Sequence, residues 1–171
     1  SYQYTLELTL ESDSYVGTYD GLEHFLRLAA KTYGHKGVEV RYTYQWFKDG
    51  AKITGADGNS YAVKNHADSG TYTLVVTVTD GYAERTASIE NIKVGIAKLT
   101  IDLSSLGWSA TELPYHAGVE QEVTLIVPEN LAIANLVFSY TNNKATDPGT
   151  YPATATVASY DSENCELTGA L

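Results

Sequence analysis

The chain contains an internal repeat, and this feature restricts its possible folds more than any other. Residues 68–78 read DSGTYTLVVTV and residues 147–157 read DPGTYPATATV, so that Asp, Gly, Thr, Tyr and a closing Thr-Val recur in register. Upstream, residues 19–23 (YDGLE) have a counterpart, one residue longer, in residues 115–120 (YHAGVE). Internal similarity of this kind indicates two copies of one supersecondary unit.

The repeat divides the chain into two predicted domains, residues 1–97 and 98–171. Tyr19 and Tyr72 are 53 residues apart, whereas Tyr115 and Tyr151 are 36 apart, so the first copy carries about 17 extra residues, placed around residues 46–61. The junction at residues 95–101 has no Pro-rich or Ser-rich spacer. A join this short favours an elongated, monomeric pair of domains, and we expect the chain to be part of a longer protein.

Apolar residues alternate along several segments, which predicts strands with one buried face. Asp-Gly pairs, at residues 20–21, 49–50, 57–58 and 80–81, can supply the positive backbone angles of tight turns. Residues 129–137 are compatible either with one helical turn or with a loop that leads into a strand. The pattern therefore predicts an all-β fold. The alternating sets are Tyr4, Leu6, Leu8 and Leu10; Leu26, Leu28 and Ala30; Leu74, Val76 and Val78; and Val123, Leu125 and Val127.

The first copy resembles an immunoglobulin-like domain. Residues 45–50 (QWFKDG) are similar to the strand whose Trp packs in the centre of the sandwich, and residues 68–72 (DSGTY) are similar to the tyrosine corner. The resemblance implies that Trp46 is buried. It also implies that Tyr72, and Tyr151 in the second copy, are corner residues whose rings pack inward and whose hydroxyls bond to an upstream backbone group. The family's disulfide is missing, because its two positions align with Ala30 and Leu74.

Both copies are similar to the Ig-like repeats of bacterial cell-surface proteins, including those of the MBG type. The resemblance implies two tandem immunoglobulin-like β-sandwich domains on an exported bacterial protein. The second copy has no Trp where Trp46 stands, so Phe138 or Tyr140 is expected to fill that space. A shorter sandwich and a β-grasp-like variant both remain open for residues 98–171.

The charge of the chain argues against two classes of partner. It has 21 acidic and 11 basic side chains, a net charge of −10. So few cations disfavour binding to nucleic acid or to an anionic membrane surface. No apolar run is long enough to span a bilayer.

The sequence contains no recognisable catalytic, cofactor-binding or metal-binding motif. His24, His35, His66 and His116 lack metal-ligand spacing, and His24 and His116, beside the matching turns of the two copies, are expected to be solvated turn residues. Cys165 is the single cysteine and is expected to be an inert thiol. The loop at residues 55–60 matches a calcium loop only in part, so a turn is the preferred interpretation. Asp102 at the junction is a weaker calcium candidate, chosen on position alone.

Two functional hypotheses follow, and neither specifies a ligand. The favoured one is a non-enzymatic spacer or adhesion segment of an extracellular bacterial surface protein, with an unknown protein or glycan as partner. The alternative is a carbohydrate- or ligand-binding module of a larger secreted enzyme. A cleft that joined His35 or His66 to two carboxylates would instead favour an enzyme. Tyrosines near predicted turns, on which sugars could stack, are Tyr33, Tyr61, Tyr82, Tyr115 and Tyr160.

Overall fold

The chain folds mainly into β-strands. The computed structural model describes residues 5–10, 14–33, 40–79, 81 and 84–171. Within these residues, helix is confined to short 3-10 turns, which confirms the all-β prediction. Contacts along the backbone divide the chain into two compact units, Ser1–Ala97 and Lys98–Leu171.

The described strands of the first unit form two sheets. β2, β8, β7, β4 and β5 pair in that order, with β2 parallel to β8, while β3 pairs with both β1 and β6. The strands are β1 (Thr5–Leu10), β2 (Ser14–Thr18), β3 (His24–Tyr33), β4 (Arg41–Lys48), β5 (Ala51–Lys52), β6 (Ser60–Val63), β7 (Gly70–Thr79) and β8 (Glu84–Ala97), with a 3-10 turn, η1, at His66–Asp68.

The core of the first unit is built from alternate residues of these strands. Leu74, Val76 and Val78 of β7 are all fully buried, as their alternation predicts. Trp46 on β4 is also fully buried, and its indole N–H donates to the Gly58 carbonyl at 2.9 Å. The burial of Trp46 expected from the immunoglobulin resemblance is therefore confirmed.

Aromatic rings join the two sheets of this unit. The ring of Tyr61 on β6 lies 6.0 Å from that of Trp46 on β4 and 5.6 Å from that of Tyr72 on β7. Leu74 fills one of the two positions at which the family has a disulfide. The side chain of Ala30, at the other position, lies outside the described part of the chain.

One of the Asp-Gly pairs forms a hairpin turn with both residues left-handed. Asp49 and Gly50 have φ values of 49° and 81° and connect Lys48 directly to its partner Ala51. Gly58 does not have a positive φ, and residues 57–58 link β5 to β6, which belong to different sheets. The prediction of a tight turn at residues 57–58 is therefore wrong, because a connection between sheets does not require primed turn geometry.

The second unit is built from shorter ladders. β9 pairs in parallel with β16, β10 with β12, β11 with β14, and β13 with β15. The strands are β9 (Leu99–Asp102), β10 (Gly107–Trp108), β11 (Gln121–Glu122), β12 (Leu125–Ile126), β13 (Val137–Thr141), β14 (Lys144–Ala145), β15 (Thr154–Ser159) and β16 (Cys165–Thr168), with 3-10 turns η2 at Leu103–Ser105 and η3 at Glu129–Ala134.

The prediction of a single strand over residues 123–127 is wrong, because residues 121–126 form two separate short strands, β11 and β12. The segment changes partner, since β11 pairs with β14 and β12 pairs with β10. Leu125 is nevertheless buried, as the alternation requires. Residues 129–134 adopt the helical turn that the sequence left open, and Asn135 ends it with a left-handed φ of 54°.

The core of the second unit is small. Its buried apolar side chains among the described residues are Ile101, Leu103, Leu125, Ala134 and Cys165. Beside them, Tyr140 contacts both Trp108 and Phe138, with ring centroids 5.7 Å and 6.1 Å apart. A small domain buries a smaller fraction of its surface, so fewer large side chains can be accommodated inside.

Candidate binding groove of the second unit

An open groove of about 1040 Å³ lies in the second unit. This volume is slightly above the usual range for small-molecule pockets, which is about 300–1,000 Å³. Three aromatic side chains and several amides and hydroxyls line it. The walls are formed by Trp108, residues 110–115, Gln121, Val123, residues 142–151 and Ala153.

Tyr151 is an exposed aromatic ring in a fixed position. Its hydroxyl donates to the carbonyl of Asp147 at 2.8 Å, and a Cβ at Gly149 would lie only 3.3 Å from the ring. The ring is therefore held against the backbone of residues 147–149, while the side chain remains 44% exposed. An aromatic held in this way loses little conformational entropy when a ligand packs on it.

The equivalent tyrosine of the first unit makes the same hydrogen bond but has a different role. The Tyr72 hydroxyl donates to the Asp68 carbonyl at 2.7 Å, which confirms the predicted corner, and its ring is 0% exposed. Burial raises the pKa of Tyr72 well above its usual value, and nearby Tyr61 and carboxylates add to the effect. The prediction that a corner tyrosine packs its ring inward thus holds for Tyr72 and is wrong for Tyr151, because the core of the second unit is smaller.

The second tyrosine of the repeat shows the same change. Tyr19 is 9% exposed, whereas its counterpart Tyr115 is 57% exposed and lines the groove. Both tyrosines precede a glycine with the same left-handed backbone, Gly21 at φ 74° and Gly118 at φ 72°. Each copy thus has a left-handed glycine shortly after the tyrosine, but the ring is buried in the first unit and exposed in the second.

The groove also holds positioned polar groups. Gln121 Nε2 donates to the Pro114 carbonyl at 2.7 Å, which ties β11 to the segment that carries Tyr115. Asn143 Nδ2 donates to the Val123 carbonyl at 3.1 Å. Asn142 has a left-handed φ of 57°. Gln121 lies on β11, whereas Asn142 and Asn143 follow β13, and all three amides supply the groove with donors and acceptors.

The ionisable lining residues are of mixed sign. Lys144 lies at the groove together with Glu112 and Asp147. Its Nζ is 4.0 Å from Glu122 Oε2, a solvent-exposed pair. The lining thus carries one cation and two carboxylates, and it does not favour an anionic ligand.

The tyrosines that the sequence suggested for stacking on sugars lie in different environments. Tyr115 lines the groove, whereas Tyr61 packs between Trp46 and Tyr72 in the core of the first unit. Tyr160 is half-buried, and it does not line the groove. Tyr82 and the side chain of Tyr33 lie outside the described residues. Sequence reasoning missed Tyr151 because the corner motif predicts burial.

His24 and His66 have structural contacts in the first unit. His24 Nε2 lies 2.9 Å from both Asp20 Oδ2 and the Tyr15 hydroxyl, and its ring stacks on Tyr15 with centroids 4.0 Å apart. His24 was predicted to be a solvated turn residue, but it is the first residue of β3 and is only partly exposed. His66 Nδ1 lies 2.7 Å from the Ile96 carbonyl, and His35 lies outside the described residues.

His116 and Cys165 are the remaining residues considered for metal binding or catalysis. His116 is exposed, as expected for a turn residue. Cys165 is buried at the start of β16, and burial, with Asp161 nearby, raises the pKa of its thiol. A thiol in this environment is a poor nucleophile, in agreement with the sequence prediction.

Neither calcium candidate belongs to a metal-binding cluster in the described part of the chain, where no three His, Cys, Asp or Glu side chains are placed to hold an ion. Asp102 caps η2 instead, since its Oδ1 accepts from the amide of Ser104 at 3.0 Å and from its hydroxyl at 2.6 Å. The loop at residues 55–60 is tied to β4 by the bond from Trp46 to Gly58.

No described helix has the length and apolar character needed to cross a membrane.

Comparison with known proteins gives only distant structural similarities. No protein-family model matches the chain, and no curated protein sequence matches it. The chain is similar to three N-terminal domains of the bacteriophage RB49 highly immunogenic outer capsid protein, with 13% identity and a TM-score of 0.37, over 94% of this chain and 51% of that one.

The chain is also similar to SGBP-B of the Bacteroides ovatus mixed-linkage glucan utilization locus, a structure in complex with a mixed-linkage heptasaccharide. Here the identity is 16% and the TM-score 0.29, over 84% of this chain and 36% of that one. The chain thus spans about half and about a third of the two proteins' lengths. Similarities at this level assign neither a family nor a function.

Proposed function

We propose that the chain is a non-enzymatic adhesion segment of an extracellular bacterial surface protein, with its binding site in the groove of the second unit. The observation that carries this proposal is the placement of Tyr115 and Tyr151. Their counterparts in the first unit are buried, whereas in the second unit both rings line one groove. Exposed aromatic rings with fixed geometry are typical of binding sites.

Two tandem immunoglobulin-like sandwiches are the architecture that we propose for the segment. Support comes from the first unit, where Trp46 is buried between the sheets and the Tyr72 hydroxyl bonds to Asp68. The shared tyrosine-to-aspartate bond, present again at Tyr151, supports a common ancestry of the two units. The first unit would serve as scaffold and the second would carry the binding site.

The environments of the nucleophile and base candidates favour a non-enzymatic role. Cys165 is buried with a raised thiol pKa. His66 is engaged by the backbone of β8 through Ile96. Catalysis would require such groups to face a common cleft with a substrate, and neither residue lines the groove.

The proposal is tested by a retention assay that needs no knowledge of the ligand. Beads coated with the chain are washed over surfaces of mucin, collagen and bacterial cell-wall polysaccharide. We expect retention on at least one surface, and we expect its loss in the double variant Tyr115→Ala/Tyr151→Ala. Phe25→Ala is the matched control, since Phe25 of the first unit is 43% exposed, close to the value for Tyr151. Retention no greater than that of uncoated beads, or equal retention of all three proteins, would overturn the proposal.

A further inference from the structure

We infer that the groove of the second unit binds a neutral oligosaccharide. This inference rests on the proposed function and adds the chemical class of the ligand. It depends on three properties of the groove, which are its aromatic rings, its polar lining groups and its charge.

The aromatic rings provide stacking surfaces for sugar rings. The face of an aromatic ring is electron-rich, so it attracts the weakly positive C–H groups on the face of a pyranose. Tyr151 suits this role because its hydroxyl is bonded to Asp147 and its ring rests against Gly149, which leaves the ring exposed but fixed. Tyr115 supplies a second exposed ring in the same groove.

The polar side chains that line the groove match the hydroxyl groups of a sugar. Gln121, Asn142 and Asn143 carry amides that both donate and accept, and Thr146 and Thr150 add hydroxyls. The bonds from Gln121 to Pro114 and from Asn143 to Val123 fix two of these amides. A proline-rich peptide would also stack on tyrosines, but its proline nitrogens carry no N–H donors for so many acceptors.

The charge and size of the groove define the ligand further. Glu112 and Asp147 outnumber Lys144 in the lining, and the whole chain has a net charge of −10. Both features repel uronate-containing or sulfated polymers. A groove of about 1040 Å³ that is open to solvent suits several linked sugar rings better than one enclosed ring.

Isothermal titration calorimetry tests the inference directly. The probes are neutral hexasaccharides of glucose, xylose and mannose, an oligouronate of the same length, and a proline-rich peptide. We expect at least one neutral hexasaccharide to bind and the oligouronate and the peptide not to bind. Tyr151→Ala should weaken binding about tenfold, the value that loss of one aromatic contact predicts. Tyr151→Phe keeps the ring and should weaken binding by less than about threefold.

The controls separate this inference from the proposed function. Phe25→Ala should bind as the wild type does, and far-ultraviolet circular dichroism should show that every variant is folded. If no neutral hexasaccharide binds, or if the oligouronate or peptide binds instead, the oligosaccharide inference is wrong. This holds for any result of the bead retention assay. If a hexasaccharide binds but the beads are not retained on any surface, the inference stands and the adhesion proposal fails.

Discussion

At the scale of single residues, the equivalent tyrosines of the two units have different environments. Tyr72 and Tyr151 each donate to the carbonyl four residues upstream, at 2.7 Å and 2.8 Å. The first bond is partly buried and the second is exposed to water. Since water can replace the second bond more readily than the first, the two bonds should differ in their contribution to stability.

Removal of the two hydroxyls measures this difference. Tyr72→Phe leaves the Asp68 carbonyl without its partner and should lower the free energy of unfolding by about 1–3 kcal/mol. Tyr151→Phe should change it by less than about 0.5 kcal/mol, since the carbonyl of Asp147 can bond to water. Urea denaturation measures the free energy of unfolding of both variants and of the wild type. Equal losses in the two variants would show that burial of Tyr72 does not strengthen its bond.

The Asp20 carboxylate predicts a dependence of stability on pH. The amide of Leu22 lowers the pKa of Asp20 most, and bonds to His24 add to this effect against the opposing effect of burial. A group whose folded pKa is lowered stabilises the fold above its unfolded pKa, and this contribution disappears as the pH falls through the folded value. Stability should therefore decline below about pH 4.

The variant Asp20→Asn removes the titrating group and tests this prediction. Its urea midpoint should fall less steeply than that of the wild type between about pH 4 and pH 2. Glu23→Gln serves as control, because Glu23 is an exposed neighbour in the same turn. Parallel curves for the wild type and Asp20→Asn would contradict the assignment.

At the scale of elements, turns define where the strands of the first unit end. The two-residue hairpin of Asp49 and Gly50 joins β4 to β5. Asp49 also fixes the neighbouring strand, because its Oδ1 accepts from the amide of Thr71 at 2.9 Å and its own amide donates to the Thr71 carbonyl at 2.8 Å. One short turn therefore organises three strands of the sheet.

Replacement of Gly50 should reveal the cost of the left-handed backbone. Gly50→Ala introduces a side chain at φ 81° and should destabilise the chain by about 1 kcal/mol. Gly58→Ala is the matched control, since Gly58 has no positive φ and a Cβ there would meet its nearest neighbour at an ordinary 3.7 Å. Thermal melting compares the two variants. An equal loss at both sites would rule out backbone strain as the cause.

Sequence patterns predicted the elements best where one face is fully buried. The alternation of Leu74, Val76 and Val78 identified β7 because each of its inward side chains contributes to the core. The same pattern overestimated the length of the strand at residues 123–127, since alternation indicates which side chains are buried but not which strand pairs with the segment. The groove could not be predicted, because the motif around Tyr151 resembles that around buried Tyr72, and the motif does not report the size of the core on which the ring would pack.

At the scale of the whole molecule, each unit has its own core and its own tryptophan. Trp46 reports on the first unit and Trp108 on the second, and the chain has no other tryptophan. Fully buried aliphatic side chains offer a matched pair of substitutions, Leu74 in the first unit and Ile101 in the second. Because the cores are separate, we expect a destabilising substitution in one unit to leave the free energy of unfolding of the other unit unchanged.

Tryptophan fluorescence of a Trp108→Phe chain isolates the unfolding of the first unit. In this background, Leu74→Ala should destabilise the Trp46 transition by about 2–5 kcal/mol. Ile101→Ala, a truncation of similar size, should leave that transition within about 0.5 kcal/mol of its original position. If Ile101→Ala shifted the transition as much as Leu74→Ala, the two units would unfold as one cooperative body.

The parallel pairing of β9 with β16 has a mechanical consequence. The two strands lie at opposite ends of the second unit's sequence, and their ladder runs from Leu99 opposite Cys165 to Asp102 opposite Thr168. Tension between those ends pulls the strands past each other along their length. The cross-strand bonds then share the load and must rupture together, whereas a ladder peeled from one end loses its bonds singly. Under such tension the second unit would stay folded until this ladder of bonds ruptures.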